Sequence, residues 1–265
     1  PHRPRPTVIL NNGSDATNVD LYAYGGAAAV ERGYNALILE GPGQGSMLYE
    51  RKIPFRPDWE NVITPVVDWL CRRPEVDDRR IALTGWSLCG EMVVRAAAYE
   101  HRLAAVCSDP GLVDAWAKDW KESLDGLLAI GDKDQVNKIW QEQVVPTLDA
   151  ETRFTLAKRG EIFGSQFLDD ARAGHPPLDI WTLAESVKKF NCTKDAPKVR
   201  SPFLVIGYDA EQFFAGQDKL LFDLLKAPKD HIVLTTADGA GEHDAPLAAR
   251  HRNEVLFDWL DDTLR

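Results

Sequence analysis

The chain has 265 residues, 44% of them hydrophobic, enough for one large core, and no Pro/Gly/Ser-rich or single-sign run divides it. Its 31 basic and 41 acidic residues give a net charge of −10 with the basic ones scattered, which excludes nucleic acid as a partner. No apolar run approaches the ~18 residues of a membrane span and no signal-peptide core opens the chain, so a cytoplasmic protein without a membrane partner is expected.

The chain opens at Pro1 and enters a first strand, Thr7 to Leu10, almost at once, so an upstream segment is expected. Further β-branched and aliphatic runs follow at Asn35 to Glu40, Arg80 to Thr84, Ala104 to Cys107, Phe203 to Gly207 and His231 to Thr235. Between them, Val62, Ile63, Val66, Val67 and Leu70 mark one helix stripe, and Val255, Leu256, Trp259 and Leu260 mark another. Strands alternating with helices predict right-handed crossovers and an α/β fold with a doubly wound, mostly parallel sheet. The interval from Leu112 to Ala196 breaks the alternation: it is rich in helix formers and tryptophans (Trp116, Trp120, Trp140, Trp181) and offers no strand. It reads as a helical cap over residues 112–196, inserted between a first core part, 1–111, and a second, 197–265. Such an insertion leaves the sheet edge where ligands bind in these folds and is placed to roof a pocket; a packing elaboration is the plainer alternative. Cys71, Cys89, Cys107 and Cys192 show no CxxC or metal-like spacing, so reduced thiols are expected, with no disulfide, structural zinc or other metal.

Chemistry concentrates at three strand ends. Arg79 to Met92 reads as strand, tight turn and helix start around Gly85-Trp86-Ser87-Leu88-Cys89-Gly90. A nucleophile elbow needs this order, because the strained turn projects the hydroxyl of Ser87 from the sheet edge. The usual pattern is GxSxG; here Cys89 stands at the second glycine position and Gly90 just after it. The first strand ends in Asn11-Asn12-Gly13-Ser14-Asp15, a turn whose amides can face an oxyanion. The backbone N–H groups of Leu88 and Ser14 are the expected oxyanion donors, with Asn12 orienting the loop or serving as a plain turn residue. The last strand runs into Ala237-Asp238-Gly239-Ala240-Gly241-Glu242-His243-Asp244, which presents His243 as the general base. His2 is terminal, His101, His231 and His251 read as surface or element-end residues, and His175 lies in the insertion. The acid lies after Phe203 to Gly207, at Glu211 or Asp209. Asp109, in Ser108-Asp109-Pro110-Gly111, is a third possibility that reaches the histidine or substrate, or else caps a turn; Trp86 beside the nucleophile is a further expected substrate contact. Serine is a poor nucleophile at its free pKa, so His243 must take its proton and a carboxylate must fix the imidazole tautomer.

With these segments in place the chain resembles the α/β-hydrolase subgroup that includes fungal pigment-pathway, polyketide-shortening hydrolases and dihydroxypseudooxynicotine hydrolase. The resemblance rests on Asn11 to Ala16, Glu40-Gly41-Pro42-Gly43-Gln44-Gly45, Gly85-Trp86-Ser87, Phe213-Phe214-Ala215-Gly216-Gln217 and Gly239 to His243. It implies an α/β-hydrolase fold with an N-terminal helical region, and an acid nine positions beyond the strand-opening Pro202, which is Glu211. The subgroup tends to show an aspartate in this loop, which keeps Asp209 in view. It also implies hydrolysis of a carbon–carbon bond in a β-diketone or polyketide-like substrate through an acyl-enzyme, without a cofactor. A carboxylesterase, thioesterase or acyltransferase would use the same residues, and a non-catalytic small-molecule-binding protein of the same fold is the rival from another class. The expected partner is an aromatic or polyketide-like small molecule, and a homodimer is compatible with this reading.

Overall fold

The computed structural model describes residues 3–116 and 118–265; Pro1 and His2 lie outside the described residues. Among the described residues six strands form one sheet: β1 (Arg5–Asn11), β2 (Asn35–Leu39), β3 (Val76–Trp86), β4 (Ala105–Asp109), β5 (Phe203–Tyr208) and β6 (Lys229–Leu234). Their order is β2-β1-β3-β4-β5-β6, and every paired neighbour is parallel. This is the doubly wound, parallel sheet that the alternation of strands and helices predicts.

Sequence dictates which strands are central. All six residues of β5, Phe203-Leu204-Val205-Ile206-Gly207-Tyr208, are buried, as a strand covered on both faces requires. Burying each Val, Leu, Ile or Phe side chain contributes roughly 1.5–3 kcal/mol. At the edge, β6 is mostly half-exposed, which its charged Lys229 and Asp230 tolerate. The helix Glu60–Leu70 buries Ile63, Val67 and Leu70, and the helix Ala249–Thr263 buries Leu256, Phe257 and Leu260 together with Arg252. The same apolar stripes are visible in the sequence.

The chain divides into two compact units. The first comprises residues 1–40, 57–115 and 191–265 and contains the whole sheet; the second comprises residues 41–56 and 116–190. The second unit is helical among its described residues and has its own interior, including Leu48, Ile162, Phe167, Ile180, Leu183 and Val187. Its Gly-Pro-Gly-Gln-Gly segment closes on itself, Gly41 N–H donating to Gln44 Oε1 at 2.7 Å, and Phe55 N–H donates to the Ile162 carbonyl at 2.8 Å. Trp140 is buried with its indole N–H on the Pro177 carbonyl, and Trp116 stacks on Trp120. These tryptophans pack the unit's interior.

The four cysteines are free thiols. Among the described residues no helix is long and apolar enough to cross a membrane, and no group of three His, Cys, Asp or Glu residues could hold a metal ion.

Candidate active site

Every candidate residue sits at the carboxyl edge of the first unit's sheet, where a doubly wound fold opens its crevice. β3 ends at Trp86 and the helix Cys89–Ala97 begins two residues after Ser87. Ser87 has φ +55°, a left-handed conformation that a serine rarely adopts, and its N–H is tied to the Asp109 carbonyl at 2.7 Å. That strain, held by the neighbouring strand, is what an elbow requires.

The displaced glycine of the elbow has a steric explanation. A Cβ on Gly85 would lie 2.2 Å from the Cys89 carbonyl oxygen, and one on Gly90 would lie 2.2 Å from the Pro110 carbonyl oxygen. The tight contacts of this turn therefore fall on positions 85 and 90. Cys89 is fully buried, its thiol 3.4 Å from Met92 Sδ, so the position accommodates a small side chain.

After β1, the loop folds onto Ser87. A Cβ on Gly13 would stand 2.7 Å from Ser87 Cβ and 3.0 Å from the Trp86 carbonyl oxygen, so this position excludes any side chain. Asn12 orients the loop with both ends of its amide: Oδ1 accepts the Gly13 N–H at 2.8 Å and Nδ2 donates to the Ala16 carbonyl. Ser14 follows directly. Among the described residues the turn's backbone hydrogen bonds use the N–H groups of Ser87, Gly90 and Glu91, and not that of Leu88.

His243 closes the constellation. Its Nε2 lies 2.9 Å from Ser87 Oγ, and its Nδ1 lies 2.9 Å from each carboxylate oxygen of Glu211. Glu211 Oε1 also accepts the N–H groups of Phe213 (2.8 Å) and Phe214 (3.2 Å), whose rings flank the imidazole at 4.8 and 5.8 Å between centroids. Burial pushes the Glu211 carboxyl up, but its hydrogen bond to His243, the charge there and the two amides outweigh this and hold it below the ordinary value. Burial pulls His243 down, yet the hydrogen bond it donates to Glu211 and the nearby carboxylates leave it above the usual 6.5. Asp209 is not brought to the histidine. Its carboxylate accepts the Thr236 N–H and hydroxyl, tying the end of β5 to the loop after β6.

A family model described as X-Pro dipeptidyl-peptidase (S15 family) matches residues 5–238. The chain belongs to this S15 family of α/β-hydrolases. As the motifs imply, the curated proteins it is similar to include fungal hydrolases. The alpha/beta hydrolase psoB of Aspergillus fumigatus is 28% identical over 292 aligned residues, covering 98% of this chain and 60% of the relative. The 20-hydroxy-prefusarin hydrolase FUS2 of Gibberella moniliformis is 38% identical over 113 residues, covering 41% of this chain and 27% of that protein. The solved 2,6-dihydroxy-pseudo-oxynicotine hydrolase shares the fold with a TM-score of 0.64 at 22% identity, covering 98% of this chain and 61% of that one. The chain spans about three fifths of the length of the curated relatives that match nearly all of it.

In this S15-family chain the two remaining expected contacts lie beneath Ser87. Asp109 is buried, accepting from Tyr208 Oη at 2.5 Å and ion-paired to the equally buried Arg252. Trp86 is buried against the Tyr24 ring at 4.6 Å and beneath the Arg252 guanidinium at 5.3 Å. Sequence reasoning missed Arg252, which arrives from the last helix, and Asp244, whose Oδ2 lies 3.2 Å from His243 Nε2. An arginine one turn ahead of Leu256 and Leu260, in line with that apolar stripe, was the available signal for the first. For the second there was none beyond its adjacency to His243.

Proposed function

We propose that the chain is the core of a serine hydrolase in which Ser87 is the nucleophile, His243 the general base and Glu211 the carboxylate that fixes the base. The observation that carries this reading is the continuous line Ser87 Oγ, His243 Nε2, His243 Nδ1, Glu211, with 2.9 Å at each step. Glu211 at Nδ1 selects the tautomer with Nδ1–H, which leaves the Nε2 lone pair facing the serine hydroxyl. His243 then takes the hydroxyl proton as Ser87 Oγ bonds to a substrate carbonyl carbon. The Leu88 and Ser14 N–H groups are the proposed donors to the resulting oxyanion, each worth about 100- to 1000-fold in rate. Asp109 and Trp86 support the elbow in this reading rather than meeting substrate.

The proposed substrate is an aromatic or polyketide-like molecule with a β-dicarbonyl unit, cleaved at a carbon–carbon bond. Support comes from the likeness to the pigment-pathway hydrolases and from relatives named for 20-hydroxy-prefusarin and 2,6-dihydroxy-pseudo-oxynicotine. Collapse of the adduct would expel an enolate, which His243 protonates, and water would then release the acyl group from Ser87. The S15 description alone does not make this chain a peptidase, because one fold hosts many chemistries. Assaying the purified protein with aryl 1,3-diketones, aryl esters and X-Pro dipeptide amides tests the assignment. Diketone turnover is expected, and turnover of the ester or amide alone would overturn the carbon–carbon reading.

A further inference from the structure

Asp244 is a second carboxyl group at the histidine, on the nitrogen opposite Glu211. It and Ala245 take φ values of +63° and +47°, successive left-handed conformations that non-glycine residues rarely hold. This turn places Asp244 Oδ2 3.2 Å from His243 Nε2, the atom that meets Ser87 Oγ at 2.9 Å. Asp244 Oδ1 is buried and has no hydrogen-bond partner among the described residues.

A carboxylate oxygen facing the bare lone pair of a neutral imidazole is repulsive, so this contact is relieved when one of the two groups carries a proton. The surroundings favour keeping one on Asp244. Around it stand His243 on its own loop, Glu211 after β5, Asp109 at the end of β4, Tyr208 in β5 and Arg252 from the last helix. Burial raises the proton affinity of Asp244 most, the charges of Asp109 and Glu211 raise it further, and His243 and Arg252 oppose them without prevailing.

We propose that Asp244 is a further catalytic residue: a neutral carboxylic acid that donates a hydrogen bond to the enolate oxygen of the leaving group and so favours carbon–carbon over ester cleavage. The inference rests on the assignment of Ser87 and His243 made above. Ser87 Oγ bonds to one carbonyl carbon of the β-diketone while its proton passes to His243 Nε2. Collapse breaks the bond to the central carbon, whose electron pair delocalises onto the second carbonyl oxygen. His243 returns its proton to the central carbon, giving a ketone and the acyl-enzyme. Water, deprotonated by His243, adds to the acyl-enzyme, and Ser87 leaves with that proton. Asp244 keeps its own proton throughout.

Geometry links the two donors. A carbon protonated by Nε2 must come within about 3 Å of it, and the enolate oxygen lies two bonds from that carbon. Asp244 Oδ2, 3.2 Å from the same nitrogen, is therefore beside the developing charge. An ester's leaving oxygen takes the Nε2 proton directly and needs no second donor. A buried acid held neutral is a known device for stabilising an enolate oxygen.

The test compares wild type, Asp244→Ala and Asp244→Asn on 1-phenylbutane-1,3-dione and 4-nitrophenyl acetate, which share an acetyl group, alongside labelling by a fluorophosphonate. Asp244→Ala is expected to lower diketone kcat about 100-fold, as for loss of one preorganised donor, and to lower ester kcat and labelling rate by a much smaller factor through its contact with His243. Asn keeps an N–H donor and tolerates positive φ, so Asp244→Asn should retain most diketone turnover and be free of any fall with rising pH that comes from ionisation of Asp244. Equal losses on both substrates, or unchanged diketone turnover in Asp244→Ala, would overturn the proposal. Wild type that is labelled and cleaves the ester but not the diketone overturns it while leaving the serine hydrolase standing. Absence of labelling in wild type overturns both.

Discussion

His243 Nδ1 stands 2.9 Å from both carboxylate oxygens of Glu211, while Asp209, two positions earlier, holds the Thr236 N–H and hydroxyl. The two acids of one loop thus have separable consequences. Glu211→Gln removes the carboxylate that sets the imidazole tautomer and should lower kcat on an aryl ester by about 10⁴-fold, the loss typical when a triad acid becomes an amide. Asp209→Asn should leave kcat nearly unchanged and lower the thermal midpoint slightly. Steady-state kinetics and thermal melts on the two variants separate these effects.

Protonation of His243 has opposite effects on activity and on stability. Its pKa is raised above 6.5, and only the neutral imidazole accepts a proton, so kcat/KM should climb with pH through a value above 6.5. The same shift stabilises the fold when the histidine is charged: the contribution is fully present below 6.5 and disappears as pH rises through the folded value. Glu211, held below its ordinary 4.5, stabilises above 4.5 and loses this as pH falls through its folded value. A pH–rate profile, together with the pH dependence of the melting difference between wild type and His243→Gln, checks both signs.

At the elbow, the close contacts fall at Gly90 and not at Cys89. Gly90→Ala would put a methyl 2.2 Å from the Pro110 carbonyl oxygen and 2.9 Å from Ser108 Oγ, displacing the start of the helix behind Ser87. Overpacking of this kind costs about 1–3 kcal/mol, and activity should fall with it. Cys89→Ala should keep the nucleophile in place and retain most of the rate. Denaturant titration and ester kinetics on both variants check this.

Beneath Ser87, Asp109 and Arg252 form a buried ion pair, and the Asp109 carbonyl holds the Ser87 N–H. Arg252→Met leaves Asp109 charged and uncompensated, so it should cost about 3–5 kcal/mol in urea unfolding. The double variant Asp109→Asn, Arg252→Met should recover a good part of that loss, because no orphan charge remains.

These residues also divide what sequence can and cannot reveal. The six strands were legible because β-branched runs ending in Gly, Asn or Asp have few other uses, and Ser87 and His243 stood out because each follows such a run. Glu211 and Asp209 were harder to separate: both lie on one short loop, and which of them faces the histidine depends on the path that Phe213 and Phe214 give the chain. The Asp109–Arg252 pair joins positions 143 apart, and no local pattern announces it. Likewise, nothing in Gly41 to Arg56 shows that this segment belongs with the helical unit, since its anchor is the distant Ile162 carbonyl.

The central claim, that Ser87 is a nucleophile activated by His243 and Glu211, is tested most directly by intact-mass measurement after treatment with a fluorophosphonate. One adduct is predicted on wild type, mapping to Ser87, with none on Ser87→Ala and a strongly slowed reaction on His243→Ala. An unmodified wild type, or an adduct that persists in Ser87→Ala, would contradict the account.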